Sequence, residues 1–271
     1  MASTDKKDQP KIKVYWLNES RAQRLIWLLE ELHLDYETAI FYRDKDMMAP
    51  PELQEIHPLG KAPIVTIQSP SINNGEKPLV LAESGFIMQY LTEHFAKSSP
   101  NPTLIPQRWK PGQEGQLGGE TESYLRYQYF LHYPEGSLQP SLLVSIVLDI
   151  MKSNKMPFPV RPITSFVASK FFSAFVIPHI NTDLAFLEKQ LETAPDGGGY
   201  ICGSHLTPAD ILLTFPLQLT KDRIGKVDAS IHAKYPKLWA YLERLKGEEG
   251  YKRADRRIEE AEKADKCGGK K

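Results

Sequence analysis

Cysteine is scarce in this sequence, net charge is absent, and no long apolar run occurs. The 271 residues include only Cys202 and Cys267, far apart and in no CxxC or metal-ligand spacing, which argues against a disulfide framework, a metal site or a dithiol redox centre. Lys plus Arg and Asp plus Glu both number 34, so no basic excess points to nucleic acid. No stretch approaches the ~18 consecutive apolar residues of a transmembrane segment, and Lys6 and Lys7 are not followed by the apolar core of a secretory leader. We therefore expect a soluble, cytoplasmic chain in a reducing compartment, with no metal cofactor and no nucleic-acid partner.

What is present divides in two, as a length of this order predicts at roughly 150 residues per domain. Residues 12–17 (IKVYWL) read as a strand. From Ala22 onward, Leu25, Ile26, Leu28, Leu29 and Leu32 trace a helix face, leaving Arg21, Arg24, Glu30 and Glu31 mostly for the other faces. A second strand is expected over 36–42 and a short helix to about Ile56 after Pro50–Pro51. Residues 62–67 and 79–82 read as an antiparallel hairpin across a long turn with Pro70 and Gly75, and a helix follows Glu83–Ser84. The order βαβαββα is the thioredoxin-like arrangement, a mixed four-stranded sheet with helices on both faces.

Beyond it the character changes. Residues 97–119 hold four prolines and four glycines and read as a linker. Helical patterns then follow at 120–133, 138–151, 163–191 with a kink near Pro178, 208–220, 235–245 and 248–262, making an all-α domain. The expected organisation is a tail over 1–11, a thioredoxin-like domain over 12–96, a linker over 97–119, a helical domain over 120–262 and a charged tail over 263–271. Thr207-Pro208-Ala209-Asp210 has the form of a capping box, which we assign to folding.

The polar residues of the first domain carry the chemistry. Glu83–Ser84 lies where a strand feeds a helix start, and the positive end of the helix favours a carboxylate there while Glu83 suits an ammonium. The pair would hold an amino-acid head group; an ordinary helix cap is the equal alternative. With a cis bond to Pro63, Ala62 would offer its backbone to an extended peptide, and Lys61 would reach a ligand carboxylate. Ser20, after the first strand, is placed to donate its hydroxyl to an anion such as a thiolate, or else to cap the helix.

Four segments, NESRAQRLIWLLEEL, HPLGKAPIV, LAESGFIMQYL and HLTPADILLTFPLQ, occur in this order. Together they make the chain resemble a cytosolic glutathione transferase of the fungal kind, over about residues 12 to 257. The resemblance implies glutathione as co-substrate, with Glu83 and Ser84 on its γ-glutamyl group, Ala62 beside Pro63 on its cysteinyl backbone and Lys61 near its glycine carboxylate. A hydroxyl would activate the thiol: Ser20, with Asn18 or Tyr15 as alternatives. No cysteine precedes Cys202, which argues against the branches that use a catalytic cysteine. The second substrate would be a small apolar electrophile, with peroxide reduction as an accessory activity, and Tyr124, Tyr127 and Phe130 are candidates for its pocket. The family is typically homodimeric, with residues 124–133 as part of the seam. A glutathione-binding regulatory or carrier protein with little catalysis is the alternative function. The apolar stretches 138–151 and 166–177 read as core, with peripheral association to an intracellular membrane left open.

Overall fold

The structure, a computed structural model, describes residues 10–268. Most of the expected N-terminal tail lies outside these residues, as do positions 269–271 of the C-terminal one. By internal packing the chain forms two units: one comprises the chain up to Ile105 together with the segment from Lys246, the other Pro106–Leu245.

The first unit begins with β1 (Lys11–Leu17), α1 (Gln23–Glu31), β2 (Tyr36–Phe41), α2 (Glu52–Ile56), β3 (Ile64–Gln68), β4 (Leu79–Ala82) and α3 (Ser84–Phe95). Its sheet runs β2-β1-β3-β4. The β1–β2 pair is parallel and the β1–β3 and β3–β4 pairs are antiparallel, which is the expected thioredoxin-like topology. β3 starts at Ile64, two residues later than expected, because Pro63 has no N–H to give a ladder. Alternation along β1 separates two cores. Leu17 and half-buried Tyr15 pack with Leu53 of α2, Ile64 and Phe41, while Ile12 and Val14 face the other way and are buried too.

The second unit contains α4 (Glu122–Tyr133), α5 (Gln139–Lys152), α6 (Arg161–Phe171), α7 (Ile177–Glu192), α8 (Pro208–Val227), α9 (Ser230–Lys234) and most of α10 (Pro236–Gly247). α4 continues into α5, which the sequence pattern had separated, and α6 continues into α7 as the single 163–191 pattern implied, each through one π-helical turn, Pro134–Leu138 and Phe172–Val176. Pro140 and Pro178 stand just after these turns. A proline donates no N–H to the preceding turn, and a widened turn accommodates it without ending the helix. The Tyr133 hydroxyl donates to Asp183 Oδ1 (2.8 Å), tying the two long runs together. At the start of α8 the capping box is formed. Asp210, fully buried, accepts from the Ile201 and Thr207 amides, the Thr207 hydroxyl and the Tyr241 hydroxyl at 2.6–2.9 Å.

Two expected boundaries move. Residues 97–119 are not one linker: Leu104 is buried and groups with the first unit, whereas beyond Ile105 the chain folds into linked turns closed by Lys110 N–H donating to the Gly119 carbonyl (2.9 Å). The last helix, α11 (Glu249–Gly268), belongs with the first unit rather than the helical one. It lies along α1: the Trp27 and Tyr251 rings meet edge to face at 5.2 Å, Arg253 donates to Glu30, and Gln23 donates to Asp255. Through Gly268 it also absorbs the first six residues of the expected charged tail. Glu259–Lys263 and Glu262–Lys266 pairs one turn apart support that extension.

Candidate active site

The register of the sheet gathers the candidate residues. Tyr15 of β1 pairs with Ile64 of β3, and Ile64 pairs with Ala82 of β4. The end of β1, the start of β3 and the end of β4 therefore share one edge of the sheet. From that edge issue three loops: Asn18 to Ser20, Lys61 to Pro63, and Glu83 with Ser84.

Ser20 stands ahead of α1 rather than capping it. The cap position is Ala22, without a side-chain bond, and the Ala22 amide donates to Ser20 Oγ (3.2 Å). By accepting that bond with a lone pair, the half-buried hydroxyl keeps its proton available to an anion. Asn18 is braced instead, because its Oδ1 accepts from the Arg43 amide (2.7 Å) and its carbonyl from Arg43 Nε (3.2 Å). Tyr15 sits in the lower core, 6.3 Å from the Phe41 ring, with Lys13 Nζ 5.5 Å from its own. Ser20 Oγ, like Asn18 Oδ1, accepts from a backbone amide, and the hydroxyl retains a proton to donate.

The Ala62–Pro63 bond is cis, as expected from its context. Ala62 is half-buried and Lys61 exposed beside it. At α3 the ordinary capping alternative is absent: Glu83 takes the cap position with no side-chain bond, and Ser84 is the first helical residue. Glu83 is exposed with φ at +72°, a conformation that costs a non-glycine residue of order 1–3 kcal/mol and gathers at functional sites. Ser84, 3 % exposed, accepts from Arg24 Nη2 (3.3 Å).

Arg24 is the residue the sequence pattern misplaced. Expected on a polar face of α1, it is wholly buried, and Glu31 nearly so. The sheet lies on one side of α1 and α11 on another, so no face is left to solvent. The available signal was the unbroken LIWLL run, since a helix apolar all round is covered all round. Glu31 accepts from Trp27 Nε1 (2.9 Å) and Asn101 Nδ2 (2.8 Å), and burial pushes its carboxyl above the usual range.

Family comparisons agree with this arrangement. Residues 20–94 match the model described as glutathione S-transferase, N-terminal domain, and residues 167–253 the corresponding C-terminal domain. Glutathione S-transferase 1 of Saccharomyces cerevisiae is 36% identical over 242 residues, spanning 89% of this chain and 93% of that protein. The chain belongs to the glutathione S-transferase family. A second fungal relative, glutathione S-transferase 3 of Schizosaccharomyces pombe, is 28% identical over 76% of this chain and 73% of its own length. Among solved structures, a glutathione S-transferase from Actinobacillus pleuropneumoniae is 29% identical with a TM-score of 0.63, covering 91% of this chain and 92% of that one. A transferase from Pseudomonas fluorescens, solved with two glutathione molecules, shares the fold at 19% identity and TM-score 0.63, over 93% of this chain and 94% of its own.

Two pocket candidates of this transferase lie elsewhere than expected. Tyr127 and Phe130 are buried in the helical unit, where Phe130 packs against Tyr129, Tyr133 and Phe186. On α4 the apolar spacing that marks a pocket wall also marks a core face, and here it is the core. Tyr124 remains half-exposed, with the Arg108 guanidinium 5.4 Å from its ring centre. In a cleft of about 790 Å³ lined by α1, β2 and α11, Glu30 is engaged by Arg253, Arg257 and Tyr36.

Proposed function

We propose that this glutathione transferase conjugates glutathione to small apolar electrophiles, with Ser20 as the hydroxyl that stabilises the thiolate. The single observation that supports the assignment is the strand register, which brings the loops of Ser20, Ala62–Pro63 and Glu83–Ser84 to one edge of the sheet. Glutathione is complementary to such an edge. Its γ-glutamyl ammonium suits Glu83, its α-carboxylate the Ser84 hydroxyl and the first turn of α3, its cysteinyl backbone Ala62, and its glycine carboxylate Lys61.

Arg24 acts behind Ser84. By donating to Ser84 Oγ it occupies one lone pair and turns the hydroxyl proton toward the ligand carboxylate. The buried guanidinium also adds positive potential beneath it. In the reaction the thiolate sulfur attacks the electrophilic carbon, a C–S bond forms, and the leaving group departs with its electron pair. Ser20 contributes by donating to the sulfur before attack.

Turnover of glutathione with a generic aryl halide, measured beside retention on immobilised glutathione, tests this. Retention without turnover would replace the transferase reading by a carrier or regulatory one. For assembly we propose a homodimer that uses the outer face of α4, where Leu125 and Tyr129 are more than half exposed. A Leu125→Asp/Tyr129→Asp chain should then sediment as a monomer.

A further inference from the structure

We infer that Arg43 is a positioning residue for thiol activation: it holds the turn that carries Ser20 in the conformation that presents the hydroxyl. This role rests on Ser20 as the proposed thiolate donor and adds what keeps it in place. Between the end of β1 at Leu17 and the start of α1 at Gln23 the chain turns with Glu19 at φ +50°. A residue with a Cβ avoids that left-handed region unless its surroundings impose it.

The restraint falls on Asn18, one residue earlier. Leu17 ends the parallel ladder opposite Phe41. Beyond it the Asn18 amide donates to the Phe41 carbonyl (3.2 Å), Asn18 Oδ1 accepts from the Arg43 amide (2.7 Å), and the Asn18 carbonyl accepts from Arg43 Nε (3.2 Å). The amide, the carbonyl and the side-chain oxygen of Asn18 are thus all tied to the segment that follows β2. Glu19 and Ser20 leave from this pinned start, and the Ala22 amide holds Ser20 Oγ from the other side.

Arg43 is itself anchored. Its Nη1 donates to the Met47 carbonyl (2.9 Å), and Met47 is a second left-handed residue, at φ +66°. Around it the segment closes on itself: Asp44 Oδ1 accepts from the Asp46 and Met48 amides at 2.8 and 2.9 Å, and the Asp44 amide donates to the Met48 carbonyl (3.0 Å). Ala49, just beyond, packs on the cluster of Leu17 and Ile64, as does Ala62. One guanidinium therefore bridges carbonyl oxygens on two loops, which a planar fork of fixed donors does and a single ammonium does not. Both of these bonds go to neutral acceptors, so the positive charge of Arg43 is the competing explanation. A charge favours a thiolate with or without Ser20 and survives in a lysine. Positioning acts only through the Ser20 hydroxyl and needs the fork.

Titration of thiolate absorbance in the glutathione complex separates the two, on the native chain, Ser20→Ala, Arg43→Met, Arg43→Lys and Ser20→Ala/Arg43→Met. Arg43→Met is expected to raise the thiol midpoint by about one pH unit, roughly tenfold in ionisation, within the range for losing one charge-assisted bond. Arg43→Lys should raise it too, and the double variant should lie no higher than Ser20→Ala alone, because the two residues act as a unit. Retention of both Arg43 variants on immobilised glutathione is expected, and its loss in both would overturn the proposal by making Arg43 a requirement for folding. A midpoint moved by Ser20→Ala but by neither Arg43 variant would overturn the positioning role alone. So would a native midpoint in Arg43→Lys beside a raised one in Arg43→Met, or additive shifts in the double variant, either of which gives the effect to charge. A midpoint that Ser20→Ala leaves unmoved overturns the Ser20 assignment, and this role with it.

Discussion

Replacing Ser20 by alanine removes one hydroxyl from a site where the backbone already holds it in place. The Ala22 amide fixes Ser20 Oγ from one side, so the proton that remains is the one a bound thiolate would accept. A hydrogen bond to a charged group is worth about 1.5–3 kcal/mol, and one pKa unit about 1.4 kcal/mol. Losing it should therefore raise the thiol of bound glutathione by about 1–2 units, toward the ordinary value near 8.5. At about pH 6.5 the thiolate fraction then falls roughly ten- to fifty-fold. The rate should fall less, by about three- to eight-fold, because a more basic thiolate is also the better nucleophile, with a Brønsted slope near 0.4–0.5. Titration of thiolate ultraviolet absorbance in the complex reads the first quantity, and conjugation rates across pH read the second. A midpoint that does not move in Ser20→Ala refutes the assignment, and the same titration on Asn18→Ala and Tyr15→Phe then names the donor.

Ser84→Ala should weaken glutathione binding about tenfold, the equivalent of one charge-assisted bond, and calorimetric titration measures it. The same change should cost about 1–3 kcal/mol of stability in urea, because Arg24 loses a buried acceptor. Asp210→Ala should cost on the order of 3–5 kcal/mol, since several buried donors lose their acceptor at about 1–3 kcal/mol each; Asp210→Asn should cost less. Gly250→Ala should destabilise by about 1–3 kcal/mol, because a Cβ there overlaps Glu31 Oε1, whose carboxylate is held by Trp27 and Asn101. Folding raises the Glu31 pKa through burial. Its stability contribution is therefore fully present below the unfolded value near 4.3 and lost as pH rises through the higher folded value. Glu31→Gln should flatten the part of a urea-midpoint curve that lies above the ordinary carboxylate range.

The sheet was legible because its strands are short apolar runs bounded by turn residues, and period-two alternation survives in a single chain. The edge to which the proposed site is assigned was legible for the same reason: Pro63 before β3 and Glu83–Ser84 after β4 interrupt apolar runs where a strand has no use for them. Helix ends in the second unit were harder. The patterns over 120–133 and 138–151 read as two helices and Pro178 as a kink, yet π turns carry both runs through, and nothing in a local window separates a break from a widened turn. Tyr127 and Phe130 show the same limit, because helical spacing reports that a residue is apolar and on a face, not what the face meets.

The misreading of α1 has a deeper cause. Amphipathic reasoning assumes one covered face, and α1 is covered a second time by α11, which lies more than two hundred residues away in the sequence. That return buries Glu31 and clamps Glu30, and it holds the helix that carries Arg24. Since Arg24 donates to Ser84, the last helix supports the proposed glutathione site through α1 without supplying a residue to it. This explains why an arginine and a glutamate occupy nearly dry positions on one short helix. Arg24 meets Ser84 at the start of α3 and Glu31 meets Asn101 beyond its end, and a polar residue inside an otherwise apolar run is the mark such tertiary partners leave.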